Sequence, residues 1–208
     1  MAWGRLTLKA KNRNGRARLL LGAASGSPTS PSMTPHPYPK PSTLRRLAPW
    51  QSRPPHTGHD VRRLVAVHEA GHVVLMRWIG LESPAATIHA DDAGTRGEAH
   101  WPDRQFFAQL PDPTPDETGI LAATAASVFH AGVVAEQIEL GSPWAGPIYY
   151  PEASDYQRAD DMLCKSFGRH ASGAHAFSQQ VARHVLTTEW DRVQEIAQEL
   201  VQRGVWHP

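Results

Sequence analysis

Cysteine is nearly absent from this sequence, and long apolar runs are absent altogether. Cys164 is the only cysteine among the 208 residues, so no disulfide can form within the chain, and we expect a reducing, cytoplasmic location. No stretch approaches the roughly 18 consecutive apolar residues of a membrane-spanning helix, so we expect no membrane span. Cys164 follows Met162 and Leu163, which predicts a small buried hydrophobic residue and not a nucleophile.

Acidic residues are missing from the first 59 residues, which hold ten Lys or Arg and nine of the 18 prolines. The remaining residues hold 11 basic and 20 acidic side chains, a net charge of −9. This composition predicts a disordered, basic, proline-rich arm over residues 1–59. Three interpretations stay open: a solvated tail, an arm that contacts nucleic acid or a membrane surface, or sequence upstream of a start at Met33. Because the arm has only three aromatic residues, a nucleic-acid partner is not expected.

The composition changes near His59, and residues 60–208 have the size of a single domain. Periodicity, turn residues and capping patterns predict four helices and two short strands. Ser154 and Gln157 have capping-box spacing at the start of the third helix. The fold class is therefore predicted to be mainly α (α+β) with a small β-sheet. The helices are expected over residues 60–79, 116–140, 154–168 and 174–203, and the strands over 86–89 and 97–101.

The segment from His68 to His72 has the sequence His-Glu-Ala-Gly-His, which matches the H-E-x-x-H pattern. Residues four apart on a helix share one face, so both imidazoles can reach one ion, with Glu69 beside them. Buried histidines can also be ordinary hydrogen-bonded core residues, but the pair with its glutamate favours a metal site. The apolar residues that place both histidines on the inner stripe of this helix are Val61, Leu64, Val65, Leu75 and Ile79.

Two histidines do not complete a catalytic zinc site, which usually has three protein ligands and an open position. The extended H-E-x-x-H-x-x-G-x-x-H pattern is not present, because residues 76–81 contain no histidine. The third ligand must therefore come from farther along the chain.

Several segments resemble, in the same order, the peptidase domain of the FtsH-type AAA metalloproteases. Residues 66–74, Ala-Val-His-Glu-Ala-Gly-His-Val-Val, resemble the zinc helix of that family. Residues 84–88 and 97–101 resemble two of its strands, the second being the strand that faces substrate. Residues 131–141 resemble the end of a later helix, and residues 152–159 resemble the segment whose aspartate is the third zinc ligand.

This resemblance implies a zincin-like helical domain with an edge strand beside the zinc helix, and it implies roles for particular residues. His68, His72 and Asp155 would bind one Zn²⁺, and Glu69 would be the general base. Asp155 is also suited to stabilising a helix dipole, as first-turn acids do. Glu136 would orient a ligand histidine or a helix end, or it is a solvated surface acid. The residues that would bind substrate are Gly97, Glu98, Ala99, His100 and Trp101.

The function implied is that of a zinc-dependent metalloendopeptidase, which hydrolyses a polypeptide substrate by metal-activated water. No G-x-x-x-x-G-K-[ST] phosphate loop occurs in these residues, so we expect a stand-alone peptidase module that works with a separate ATPase or as a homo-oligomer. The alternative is a catalytically silent, zincin-like binding or regulatory protein. The missing ATPase and the substitutions around Asp155 favour this alternative.

The remaining aromatic and histidine side chains leave their roles open. Trp144, Tyr149 and Tyr150 either line a cleft near Asp155 or pack beneath their own loop. Six further histidines are scattered without metal-ligand spacing and are expected to be structural or exposed. These are His89, His100, His130, His170, His175 and His184.

Overall fold

Five α-helices, a three-stranded sheet and two two-stranded sheets build the part of the chain that the computed structural model describes. This part comprises residues 7–9, 18–20, 50–81, 83–91, 94–100 and 117–208. The predicted class, mainly α (α+β), is confirmed. The helices are α1 (Val61–Trp78), α2 (Glu117–Glu139), α3 (Ser154–Phe167), α4 (Ala171–Thr188) and α5 (Trp190–Arg203), with a 3-10 turn at Gly168–His170. The strands are β1 (Thr7–Lys9), β2 (Arg18–Leu20), β3 (Gln51–Ser52), β4 (Ala85–Asp91), β5 (Gly94–His100), β6 (Ile148–Tyr149) and β7 (Val205–Trp206).

Residues 50–59 belong to the folded unit, which corrects the predicted arm boundary for these ten residues. Strand β3 pairs in parallel with β6, and the Gln51 side chain donates to the Gly146 carbonyl at 2.7 Å. A strand of two residues leaves no periodicity in a sequence, so composition alone assigned it to the arm. Farther upstream, β1 and β2 form an antiparallel pair. The other arm residues, 1–6, 10–17 and 21–49, lie outside the described residues, and their disorder stays a prediction.

Helix α1 begins and ends where the sequence predicts. The Asp60 carboxylate accepts a hydrogen bond from the Arg63 backbone N–H at 3.2 Å, which satisfies one of the free donors of the first turn. After the last turn, Gly80 takes a φ of 87°, a left-handed conformation that glycine adopts without strain. The inner face of α1 is buried against α2 and α5, so both histidines of the motif point into the domain.

Helix α2 crosses α1 at very short range, and Gly71 makes that possible. A Cβ atom at Gly71 would lie 2.8 Å from the Ala131 carbonyl oxygen and 2.8 Å from the Ala135 Cβ. Small residues on the facing side of α2 complete the close approach. The crossing therefore sets the distance between the motif on α1 and the side chains of α2.

The predicted capping box at the start of α3 does not form. Ala153 is the N-cap residue and makes no side-chain capping bond, and Ser154 is exposed. Gln157 instead donates to the Pro151 carbonyl at 3.2 Å, because the preceding loop offers it a nearby acceptor. The predicted end of the helix is confirmed, since Gly168 follows the last helical residue with a φ of 52°.

Two further predictions for the C-terminal half are wrong. The predicted single helix over residues 174–203 is two helices that break at Glu189, where no glycine or proline marks the change. Apolar periodicity continues on both sides of the break, which is why it predicts one helix. Cys164 is exposed and not buried. The buried face of α3 carries Ala159, Leu163 and Phe167, and Cys164 lies beside that face.

The two predicted strands are confirmed as an antiparallel hairpin. Ala86 is opposite Ala99 and Ile88 is opposite Gly97, while β7 pairs with the other side of β4. Within the described sheet the order is β5-β4-β7, so β5 is an edge strand, and it lies beside α1. Among the described residues, no helix combines the length and apolar character needed to cross a bilayer.

We predict that Gly71→Ala destabilises the protein by about 1–3 kcal/mol, because the added methyl group has no space between the backbones of α1 and α2. In an open helical position the same change stabilises by roughly 1 kcal/mol. A decrease in the free energy of unfolding therefore identifies crowding at position 71. Urea unfolding followed by circular dichroism measures the effect. An unchanged or raised midpoint would contradict so close a crossing.

Candidate metal centre

Three of the predicted site residues converge although they come from distant parts of the chain. His68 and His72 lie on α1, and Asp155 lies in the first turn of α3. One ligand atom from each residue lies within 4.8 Å of the other two. The Asp155 Oδ2 atom is 3.3 Å from the His68 Nε2 atom and 3.4 Å from the His72 Nε2 atom. These side chains could hold a metal ion.

The second nitrogen of each imidazole is held by α2. The His72 Nδ1–H donates to the Val128 carbonyl at 2.7 Å, and the His68 Nδ1–H donates to the Glu136 carboxylate at 2.7 Å. Carbonyl and carboxylate oxygens only accept, so in each neutral imidazole the lone pair must be on Nε2. Both lone pairs then face Asp155. Metal-binding histidines are typically oriented by such contacts of the other ring nitrogen.

Gly132 leaves the space that the His68 ring occupies. A Cβ atom built on Gly132 would overlap the imidazole, meeting its Nε2, Cδ2 and Cε1 atoms. Any residue with a side chain at position 132 would therefore displace the His68 ring. Nothing in the local sequence marks this glycine, because its importance depends on the crossing of two helices.

Glu69 lies between the imidazoles and strand β5. Its side chain is buried, with 6% of its surface exposed, and a Cβ atom on Gly97 would lie 2.5 Å from the Glu69 Cγ and Oε1 atoms. Burial raises the pKa of Glu69, although the nearby His68 and a backbone N–H of Ala99 favour its ionised form. A carboxyl group with a raised pKa next to a metal position is suited to accepting and returning a proton.

Glu136 contacts the candidate ligand His68, and it is buried and not a solvated surface acid. Its carboxylate is buried and accepts hydrogen bonds from His68 and from the guanidinium of Arg53. Burial alone would raise the pKa of Glu136, but these partners hold it well below its usual range. His56 Nε2 also lies 3.1 Å from this carboxylate. Nothing in the local sequence marked Arg53 or His56 as part of a site.

A cleft of about 720 Å³ opens over the three candidate ligands. Gly97, Glu98, Ala99 and His100 of β5 line it, as predicted, while Trp101 lies outside the described residues. Further lining residues come from other elements and carry no signal for this role in the sequence, because only the folded chain brings them together. These are Met76, Phe129, Ala153, Ser154 and Arg158.

A second polar network fixes the helix that carries Asp155. The Tyr150 hydroxyl is 2.6 Å from His130 Nδ1, His130 Nε2 is 2.9 Å from His175 Nδ1, and His175 Nε2 is 3.0 Å from the Asp160 carboxylate. Tyr156 stacks on His175 with ring centroids 4.6 Å apart. Burial lowers the pKa of His130 and of His175. The network thus joins α2 and α4 to the first two turns of α3.

The aromatic residues of the loop before α3 are not among the cleft-lining residues. Tyr150 is fully buried and hydrogen-bonded to His130. The guanidinium carbon of Arg183 lies 5.2 Å from the centroid of the Trp144 ring. Tyr149 is exposed and makes an edge contact with Trp50. Of the two interpretations left open by the sequence, packing beneath the loop is therefore the one that holds for Tyr150.

No known protein family matches this chain, and no curated protein matches it either. The positions of the side chains therefore carry the assignment of a metal centre.

We predict that the metal-free protein loses stability as the pH rises from about 6.5 to about 10. Burial lowers the pKa of His68, but hydrogen bonds to Asp155 and Glu136 outweigh it and raise this pKa to about 10 from 6.5. A group whose pKa is raised on folding stabilises fully below its unfolded value, and this stabilisation disappears as the pH approaches the folded value.

Urea unfolding of chelator-treated protein across this pH range measures the effect. His68→Gln is the control, because it keeps a polar side chain but does not titrate, and its stability should depend less on pH. Equal pH dependence in both proteins would contradict the role of His68.

Proposed function

We propose that this chain is a zinc-dependent metalloendopeptidase of the zincin type, related to the peptidase domain of the FtsH-type AAA proteases. The observation that carries the proposal is the convergence of His68, His72 and Asp155 in a cleft where Glu69 is buried beside them. The H-E-x-x-H order of the two histidines and the glutamate on one helix supports peptide hydrolysis among the reactions that such a centre can perform.

Zinc fits the donor set better than the other common divalent ions. Two imidazole nitrogens and one carboxylate oxygen are typical zinc ligands, whereas calcium and magnesium prefer oxygen alone. Three protein ligands leave the open position that a catalytic site requires. The Nδ1–H contacts to Val128 and Glu136 support this fit, because they place the lone pair of each neutral imidazole on Nε2, the atom that faces Asp155.

The chain's own residues supply the proton transfers and the substrate contacts. When bound, zinc supplies a Lewis acid that polarises a carbonyl group and lowers the pKa of water. Glu69 takes the proton from the attacking water and passes it to the leaving amine, and its raised pKa favours this exchange. Burial of Glu69 between α1 and β5 keeps its carboxyl group aimed into the cleft.

Strand β5 supplies the surface on which a polypeptide would lie. It is an edge strand of the described sheet and lines the cleft from Gly97 to His100. An extended peptide can add to such an edge through main-chain hydrogen bonds, which do not depend on its sequence. Unfolded segments and loops are therefore the substrates we propose. A separate ATPase or a homo-oligomer, as the partner that delivers them, stays a prediction.

We predict that Glu69→Gln reduces the turnover of an unfolded protein such as casein by a factor on the order of 10² to 10⁴, the usual contribution of a general base. Zinc should stay bound at one ion per chain, because all three ligands are intact. Glu195→Gln is the control: it makes the same change at a carboxylate on α5 whose side chain is 64% exposed and which is not among the cleft-lining residues. We expect it to retain turnover.

Chelator treatment should abolish this cleavage, and added zinc should restore it. If the wild-type protein binds one zinc ion through His68 and His72 but cleaves neither casein nor a peptide library, the peptidase proposal is wrong. The alternative of a catalytically silent, zincin-like binding protein would then hold. Normal turnover by the Glu69→Gln variant would refute the assigned general base and not the metal centre.

A further inference from the structure

Residues 50–56 form an N-terminal strap that precedes α1 and packs against the outer side of the candidate metal centre. Several contacts anchor the strap besides those of Arg53. The Gln51 backbone N–H donates to the Pro147 carbonyl at 2.9 Å, and the Gln51 side chain donates to the Gly146 carbonyl. Trp50 makes an edge contact with Tyr149, at a centroid distance of 5.9 Å. The strap therefore keeps its place when Arg53 is changed.

Arg53 reaches from the strap to the carboxylate that orients His68. Its Nε–H donates to Glu136 Oε2 at 2.9 Å, and its Nη2–H donates to Glu136 Oε1 at 2.5 Å. The same Oε1 atom accepts the His68 Nδ1–H at 2.7 Å. Arg53, Glu136 and His68 thus form one continuous hydrogen-bonded chain. It ends at the imidazole nitrogen that faces His72 and Asp155.

The two-point contact fixes the plane of the carboxylate. Paired donors of a guanidinium hold both oxygens of a carboxylate at once, which a single donor cannot do. Glu136 has only 2% of its side chain exposed, so water does not replace a lost partner. Without Arg53 the buried carboxylate keeps only single-point partners, His68 at Oε1 and His56 Nε2 at 3.1 Å from Oε2, and these do not fix its plane. His68 then loses an acceptor of fixed direction.

We propose that Arg53 is a positioning residue of the metal centre, and that the N-terminal strap is part of this site. Arg53 holds Glu136, Glu136 holds the His68 ring, and the ring presents its Nε2 atom to the metal position. The inference rests on the proposed metal centre and not on peptidase activity. It makes metal binding depend on a segment that precedes the H-E-x-x-H helix.

The chain offers a closely matched control for this contact. Arg63 donates to Glu139 at 2.9 Å, and this pair joins α1 to α2 three residues after Glu136. The side chains of Arg63 and Glu139 are 26% and 22% exposed. Neither contacts a candidate ligand in the described part of the chain. Arg63→Met therefore removes the same charge and an ion pair to the same helix, although only one Arg63 donor reaches Glu139 and the Arg63 Nη2–H donates to Gln194.

Zinc affinity, measured by competition with a coloured chelator, tests the proposal. We expect Arg53→Met to raise the zinc dissociation constant about tenfold, at the low end of the effect of removing a residue that orients a ligand. Glu136→Gln should raise it by at least as much. Because both changes break one chain of contacts, the double variant should bind no more weakly than Glu136→Gln alone. Arg63→Met should bind zinc as the wild type does.

Two outcomes of this measurement would overturn the proposal. The first is a zinc dissociation constant of the Arg53→Met variant equal to that of the wild type. The second is a double variant in which the two effects multiply, because independent effects mean that Arg53 does not act through Glu136. A loss in Arg63→Met as large as in Arg53→Met would show a general effect of charge or stability, and it would also overturn the proposal.

The orientation of the His68 ring can also be measured by NMR without a bound metal. In chelator-treated, nitrogen-15-labelled protein, the Nδ1–H of His68 should appear as a protected proton resonance, which is lost in His68→Gln. We expect Arg53→Met to broaden or remove this resonance and Arg63→Met to keep it. If the wild type binds no zinc, the proposed function fails while this resonance still tests Arg53. An unchanged resonance in Arg53→Met would refute the positioning role.

Discussion

The close crossing of α1 and α2 is the contact on which the candidate site depends. Gly71 brings the two backbones together, and Gly132 leaves room for one imidazole. Val128, Gly132 and Glu136 recur every four residues on α2, so they share one face. The same spacing separates His68 from His72 on the facing helix. Once the crossing fixes the register, a single helix face orients both histidines.

Features that repeat locally could be predicted from the sequence. The bounds of α1 follow from its apolar period, its Asp60 cap and Gly80, and the facing of His68 and His72 follows from the same helix. The hairpin of β4 and β5 follows from the turn-rich residues 91–94 between two short segments predicted as strands. Asp155 has no such signal of its own, because 87 residues separate it from His68. Only a resemblance to a known family selected it among the acidic residues.

Contacts between isolated residues escaped prediction because they depend on the folded chain. Arg53 is one of ten basic residues in a segment without periodicity, and its partner lies 83 residues later. Ser154 and Gln157 have the spacing of a capping box, yet the Pro151 carbonyl competes successfully for the glutamine. The break at Glu189 carries no glycine or proline, and the apolar pattern runs through it. In each case the local sequence pattern does not specify the outcome.

The separation of the candidate ligands along the chain also concerns folding. An ion bound by both His68 and Asp155 would join α1 to α3 through two residues that are 87 positions apart in the sequence, much as a covalent cross-link does. Closing so long a loop reduces the freedom of the unfolded chain, and the energy of coordination is then also energy of folding. Helix α3 would be docked most firmly in chains that have acquired their ion. Part of the free energy of folding would then depend on the bound ion.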